Sequence, residues 1–179
     1  MSGQVDDAIL VEAAQDGDLA AFEAIVRRHQ AAVYRVALRM LGSRADAQDV
    51  TQETFVRAWR SLDRFRRHSA VSTWLYRIVT RRCLDLLAAR KPTQELGEVN
   101  LERTGPDPAE RAEHRERLRA MARAIAMLPA EQRAALVLRE FEGLSYQQLA
   151  DVLNASLPAV KGRLHRARLA VLKQTAAWQ

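Results

Sequence analysis

The chain has 179 residues, 48% of them hydrophobic, with a formal net charge of +6, which fits one medium or two small soluble domains and a polyanionic partner. No apolar run approaches the ~18 residues of a membrane span. The first 23 residues carry six acidic side chains and no Lys or Arg, which argues against a signal peptide or transit sequence, so we expect a cytoplasmic protein.

The first half is predicted to be a compact helical bundle. Gly17 and Asp18 can cap a helix over 18–41, whose apolar stripe has a period of 3.6 residues and ends at Gly42. Two more helices are expected at 45–62 and about 72–90, and a short acidic helix precedes all three. No segment alternates with a period of two, so we expect no sheet.

The stretch from Arg60 to Lys91 interleaves cations with aromatic rings and hydroxyls, and holds nine Lys or Arg against two acids. Guanidinium groups neutralise phosphates, and rings stack on bases that have left a duplex, so this composition suits single-strand binding. The alternative is that Trp59, Trp74 and Ile78 are core residues and that the arginines form a solvated face.

From 92 to 115 the helical period stops, and Pro and Gly occur among acidic residues, as in a linker. A second helical domain is expected over 116–179. Its first stripe stops before Pro129, where the next helix begins.

The end of the chain is typical of a helix-turn-helix. Ser145 and Gln148 have the spacing of a capping box, and Asn154 stands where a left-handed residue is favoured. A last helix follows with its buried side at Val160, Leu164, Ala167 and Val171. Residues 155–179 contain several cations and no acid, which indicates DNA binding; the alternative is a helical hairpin with a solvated basic face.

Two motifs resemble the extracytoplasmic-function sigma factors of bacterial RNA polymerase. Residues 46–59, 63–65 and 72–78 are similar to sigma region two, and 160–168 are similar to region four. The resemblance implies an all-α protein: a region two bundle at 1–91, a flexible acidic linker at 92–115 and a region four helix-turn-helix at 116–179. It also implies a sigma factor that binds core polymerase, reads the −35 duplex, and melts and captures the −10 element.

Matching the family motifs position by position implies three sets of site residues. The core-binding set, expected on the clamp of the largest polymerase subunit, is Asp49, Gln52 and Glu53. The strand-capture set, expected on the −10 element, is Arg57, Phe65, His68, Ser69, Ser72, Tyr76 and Arg81. The recognition set, expected on the −35 element, is Lys161, Arg163, His165, Arg166 and Arg168. Within the recognition set, Arg163 and Arg168 suit phosphate contacts. Trp59 and Leu75, which belong to none of the three sets, are expected to be buried.

The chain departs from the family pattern at several positions. The family usually has Gly where Arg67 and Asn154 stand, Phe where Val71 stands, and Ser where Gly162 stands. Pro158 and Ala159 replace a usual Gly-Thr pair. These changes put the usual loop geometry and the promoter preference in doubt.

Other functions are less consistent with these patterns. A helix-turn-helix regulator that binds duplex operators without a polymerase role would leave the basic aromatic stretch unexplained. An enzyme is not expected, because the sequence has no Gly-rich phosphate loop, and one cysteine with four scattered histidines offers no metal site or catalytic triad. We expect no cofactor and no membrane insertion. The resemblance implies an anti-sigma factor as a further partner.

Overall fold

The structure, a computed structural model, describes residues 6–90 and 108–176, without the side chains of 108–115. The helices are α1 (Asp7–Gln15), α2 (Leu19–Leu41), α3 (Arg44–Ser61), α4 (Val71–Ala89), α5 (Pro108–Ala126), α6 (Ala130–Glu140), α7 (Tyr146–Leu153) and α8 (Leu157–Ala176), with a 3-10 turn at Leu62–Arg64. These residues include no strand, which confirms the all-α prediction. Among the described helices, none has both the length and the hydropathy for a membrane span.

The helix ends form where capping chemistry predicted them. The Asp18 carboxylate accepts hydrogen bonds from the first turn of α2, and Gly42 ends that helix at φ 68°. Ser145 and Gln148 form a reciprocal capping box at α7, and Asn154 ends α7 in the left-handed region at φ 46°. Local side-chain chemistry therefore sets these boundaries.

Helix α5 begins earlier than expected. The sequence prediction placed a linker over 92–115, whereas α5 starts at Pro108. Proline is favourable in a first helical turn, where its missing N–H is not needed, and the Ala, Glu and Arg residues that follow are strong helix formers. The rest of the predicted linker, residues 92–107, lies outside the described part of the chain.

Both halves of the chain share one continuous core. Helix α2 packs on α1, α3 and α4, and α6 packs on α7 and α8. Contacts then cross between the halves, from α2 to α5 and α6 and from α4 to α6 and α7. Buried side chains from both halves accordingly form a single apolar cluster.

A buried cation, Arg133 on α6, connects the halves. The residue is 6% exposed, and its guanidinium donates to the carbonyl oxygens of Met40 (2.5 Å), Leu128 (3.0 Å) and Ala126. Met40 lies in the last turn of α2, where carbonyls lack helical partners. Burial lowers the pKa of Arg133, and the three carbonyl oxygens offset the cost of burying its charge.

We predict that Arg133→Met destabilises the fold. The substitution removes donors from three carbonyl oxygens, and each unsatisfied buried group costs about 1–3 kcal/mol. The unfolding midpoint in urea should therefore fall clearly. The matched control is Arg60→Met, because Arg60 is an exposed arginine on α3. Equal midpoints for the two variants would contradict a structural role for Arg133.

Candidate nucleic-acid and polymerase interface

Helix α8 carries a cationic face that turns away from the core. Val160, Leu164 and Ala167 are fully or almost fully buried, as predicted. Lys161, His165 and Arg166 are exposed on the other side, and the recognition set therefore divides as its helical phase predicted. In the described part of the chain, none of these three side chains has an ion pair.

The two remaining arginines of the recognition set pair with acids of α6. Arg163 forms an ion pair with Glu131, and its side chain is 20% exposed. The Arg168 guanidinium contacts the Glu140 carboxylate, with Nε 3.0 Å from Oε1, and this hydrogen bond raises the pKa of Arg168. A phosphate at either position would meet a guanidinium that already has a carboxylate partner.

Gly162 leaves space that Arg166 occupies. A Cβ atom at Gly162 would lie 3.2 Å from Nη1 of Arg166, closer than an ordinary contact. The Arg166 guanidinium thus lies beside the helix at the position where the family usually has serine. A side chain at 162 would require Arg166 to move, which a flexible exposed arginine does at little cost.

The core-binding set lies along α3, and its members differ in whether they are exposed or already hydrogen-bonded within the protein. Asp49 and Gln52 are exposed. The Glu53 carboxylate accepts hydrogen bonds from Arg82 Nε at 2.5 Å and from Arg57 Nη2 at 2.8 Å. The Arg82 bond is the main reason why the pKa of Glu53 is lowered. Two members of the set are therefore free to meet a partner, whereas Glu53 already holds α3 to α4.

The exposure of Trp59 differs from the sequence prediction. The residue was expected in the core, but it is 38% exposed and packs at a tilt on Phe22, with ring centroids 4.9 Å apart. Val56, one turn earlier on α3, is also exposed. The two side chains add apolar area to the outer surface of α3. Leu75, the other residue expected to be buried, has no exposure.

The strand-capture set is divided between solvent and core. His68 lies exposed in the connection before α4, with Ser69 and Ser72 partly buried near it, and Arg57 and Arg81 are exposed on α3 and α4. Phe65 was expected to face DNA, yet it is 8% exposed and stacks on Trp74 with centroids 4.5 Å apart. Its ring is covered because Trp74 offers an apolar partner within the same bundle.

Tyr76 was also expected to face DNA and is buried, at 7% exposed. Its hydroxyl donates to the Glu142 carboxylate, 2.9 Å away, in the turn after α6. Arg35 and Arg39 lie 3.6 and 3.7 Å from the same carboxylate, and Arg39 also stacks over Phe141. Burial, and then the bond to Glu142, raises the pKa of Tyr76.

A groove of about 480 Å³ opens between α1 and the connection before α4. Phe65, Arg67 and Ser69 line one side, and Asp7 and Arg28 line the other. Arg67 has φ 56°, in the left-handed region, which accounts for the glycine usual at this position in the family. Its guanidinium contacts Glu12 on α1 at 3.3 Å.

Sequence analysis did not identify Arg133 and Glu142 as functional residues. Each is a charged side chain with at least one partner in the other half of the chain, Met40 for Arg133 and Tyr76 with two arginines for Glu142. No local spacing signals such a contact. The sequence offers only the observation that Arg133 directly precedes the apolar run 134–138 of α6.

Two family models match the chain, Sigma-70 region 2 over residues 25–93 and Sigma-70, region 4 over residues 118–171. The RNA polymerase sigma-H factor of Pseudomonas aeruginosa is 38% identical over 97% of this chain and 95% of its own length. The ECF RNA polymerase sigma-E factor of Escherichia coli K12 is 37% identical over 96% of this chain and 95% of its own length.

Solved structures show the same arrangement of helices. CnrH, solved in complex with the cytosolic domain of CnrY, aligns with a TM-score of 0.73 and 32% identity over 96% of this chain and 97% of that one. RpoE, solved with the anti-sigma factor NepR from Bartonella quintana, aligns with a TM-score of 0.71 over 87% and 96% of the two chains. At 22% identity, the second likeness concerns the fold alone.

We predict that Glu142→Ala lowers the pKa of Tyr76 toward the ordinary value of about 10, because the hydrogen bond and the neighbouring negative charge disappear. Folding raises this pKa, so the contact stabilises the fold fully below about pH 10 and less as the pH rises further. Ultraviolet titration of tyrosinate absorbance measures the change, and Tyr76→Phe identifies the band. Glu140→Ala, an exposed neighbour, is the control. Identical titration curves for the parent and Glu142→Ala would contradict the contact.

Proposed function

The chain belongs to the extracytoplasmic-function sigma factors of bacterial RNA polymerase, and from this membership we propose which of its surfaces bind polymerase and promoter. As a sigma factor it directs promoter-specific initiation. We place region two at 1–91, the linker at 92–115 and region four at 116–179, with α5 beginning inside that linker. The chain supplies specificity while the cytoplasmic polymerase performs the catalysis.

The observation that supports −35 binding best is the exposed face of α8. Lys161, His165 and Arg166 project from the second helix of a helix-turn-helix and are opposed by no acid among the described residues. In such a motif the second helix enters the major groove, where basic side chains donate to guanine O6 and N7. We assign base contacts to these three residues and phosphate contacts to Arg163 and Arg168.

We place polymerase docking on the exposed surface of α3. Asp49 and Gln52 are solvated, and Val56 and Trp59 add an apolar strip on the same helix. Protein interfaces combine an apolar centre with polar groups that fix orientation. Glu53 contributes in part through Arg57 and Arg82, since its carboxylate holds both in place.

We assign −10 capture to the strand-capture set, on the condition that its two buried aromatic residues become exposed. Phe65 and Tyr76 are buried here, so stacking on DNA bases requires that they become exposed. For Tyr76 this means breaking the bond to Glu142 and separating α4 from α6 and α7. The described arrangement is therefore a form in which −10 capture is switched off, and polymerase binding would open it.

An inhibitory partner fits the same arrangement. CnrH was solved with the cytosolic domain of CnrY. We propose that this chain likewise binds an anti-sigma factor, which holds α4 against α6 and α7 and keeps Tyr76 covered.

A helix-turn-helix regulator without a polymerase role is the less favoured alternative, and it would bind plain duplex as tightly as a duplex with a bubble.

The first prediction of the proposal concerns docking. Asp49→Asn together with Gln52→Ala should weaken binding to core polymerase by about 2–5 kcal/mol, because interface groups that are buried on binding are lost. These two substitutions leave the contacts of Glu53 with Arg57 and Arg82 intact, so the stability of the fold should not change. Titration of labelled variants with core polymerase measures the effect. Asp16→Asn, an exposed change in the turn after α1, is the control, and unchanged affinity in the double variant would overturn the docking site.

The second prediction separates base contacts from phosphate contacts on α8. Arg166→Ala should change the preferred −35 sequence at one or two positions, because a bidentate guanine contact discriminates by about 1–3 kcal/mol. Arg163→Ala should weaken all sequences alike, because phosphates carry no sequence information. Binding-site selection with holoenzyme compares the parent and both variants. A shifted preference for Arg163→Ala alone would mean that α8 is phased differently on DNA.

A further inference from the structure

We propose that Gln15, on α1, is a positioning residue that sets the conformation of the −10 capture loop, defined here as residues 65–70. The inference rests on the proposed role of that loop in holding the −10 strand. It adds a helix outside the resemblance motifs to the specificity-determining part of the protein. Gln15 would act through the loop backbone and would not touch DNA.

The supporting contact is specific in its chemistry. The side-chain amide nitrogen of Gln15 donates to the carbonyl oxygens of Leu62 at 2.8 Å and Phe65 at 3.0 Å. Carbonyl oxygens only accept hydrogen bonds, so the contact needs a group with two donors, which Gln supplies and Glu or Met does not. The Leu62 carbonyl also accepts from the Phe65 backbone N–H, which closes the 3-10 turn. Gln15 therefore holds both ends of the turn from which the loop departs.

A second contact from the same face of α1 fixes the other part of the loop. Glu12 precedes Gln15 by three residues and thus lies on the same side of the helix. Its carboxylate contacts the guanidinium of Arg67, whose backbone has φ 56°. A left-handed conformation costs a non-glycine residue about 1–2 kcal/mol, so it persists only where surrounding contacts hold it. The exposed Glu12–Arg67 pair contributes weakly to such support, and the two bonds of Gln15 to the start of the loop add to it.

The position of α1 makes this support stiff. Val11 and Ala14, on the adjoining face, are 0% and 2% exposed and anchor the helix to the core. Asp7, at the start of α1, accepts a hydrogen bond from Arg28 and lies 2.7 Å from Nε2 of His29 on α2. With α1 held against the core and against α2, loop residues Arg67 and Ser69 line the groove between α1 and the loop, next to the exposed His68. Loss of Gln15 would leave this geometry free to vary.

The test is Gln15→Met, which keeps length and removes both donors, with Gln30→Met on the exposed side of α2 as the matched control. Holoenzymes are titrated by fluorescence anisotropy with a selected −10 single strand, a scrambled strand and a −35 duplex. For Gln15→Met, the affinity ratio of selected over scrambled strand should fall about five- to tenfold, as expected for two lost hydrogen bonds. Core affinity and −35 binding should match the control.

Other outcomes separate the possible failures. An unchanged ratio for Gln15→Met, with a reduced ratio for His68→Ala, would overturn the positioning role and leave the capture loop assigned. Equal weakening on selected and scrambled strands would show general structural support only and would also overturn it. If neither the parent nor His68→Ala distinguishes the strands, the loop assignment itself fails. Should Gln15→Met unfold, the exposed Glu12→Gln decides, with a smaller loss of the same ratio expected and no loss overturning the inference.

Discussion

One buried guanidinium joins the two halves of the molecule at the centre of the apolar core that they share. Arg133 enters the interior from α6 and donates to Met40 at the end of α2, while it also bonds two carbonyls in the turn before α6. A cation without a carboxylate partner is costly to bury, so it is stable only while all its acceptors stay in place. Separation of the halves would expose Arg133 to water, which solvates it well. The hydrogen bonds of Arg133 are therefore well formed in the closed arrangement, but water can replace them when the halves separate.

The same interface covers residues that the proposed function needs. Tyr76 contacts Glu142 across it, and the carboxylate is shared with Arg35 and Arg39. Glu142 thus neutralises cations of the first half and accepts a hydrogen bond from an aromatic residue, two of the interactions that a nucleic acid strand would make. Because the Glu142 carboxylate is only 5% exposed, the DNA strand of the proposed function reaches Tyr76 only when α6 and α7 withdraw. In the proposed function, capture of the −10 strand therefore depends on the separation of α4 from α6 and α7.

Local signals explain what could be predicted from the sequence. Helix ends at Asp18, Gly42, Ser145 and Asn154 follow from capping and backbone preferences that act within a few residues. The buried side of α8 follows from its period. By contrast, Trp59 packs on Phe22 and Tyr76 bonds Glu142, both distant in the chain, and Phe65 is covered by Trp74 of the next helix. Aligning a motif by position identifies the type of side chain at each site. It does not show whether that side chain is buried in a given conformation of the protein.

The distribution of partners on α8 has a consequence for how it could find its site. Arg163 and Arg168 are held by Glu131 and Glu140, so phosphates must exchange with carboxylates before these arginines contribute. Lys161, His165 and Arg166 need no such exchange. The Arg168–Glu140 pair is exposed and is therefore worth only about 0–1 kcal/mol, whereas the Arg163 side chain is 20% exposed and its pair is less screened by solvent. Each pair reduces the net gain from a phosphate contact at its arginine. If the proposed division into base and phosphate contacts holds, non-specific binding is weakened more than base recognition, which favours selective over general attachment to DNA.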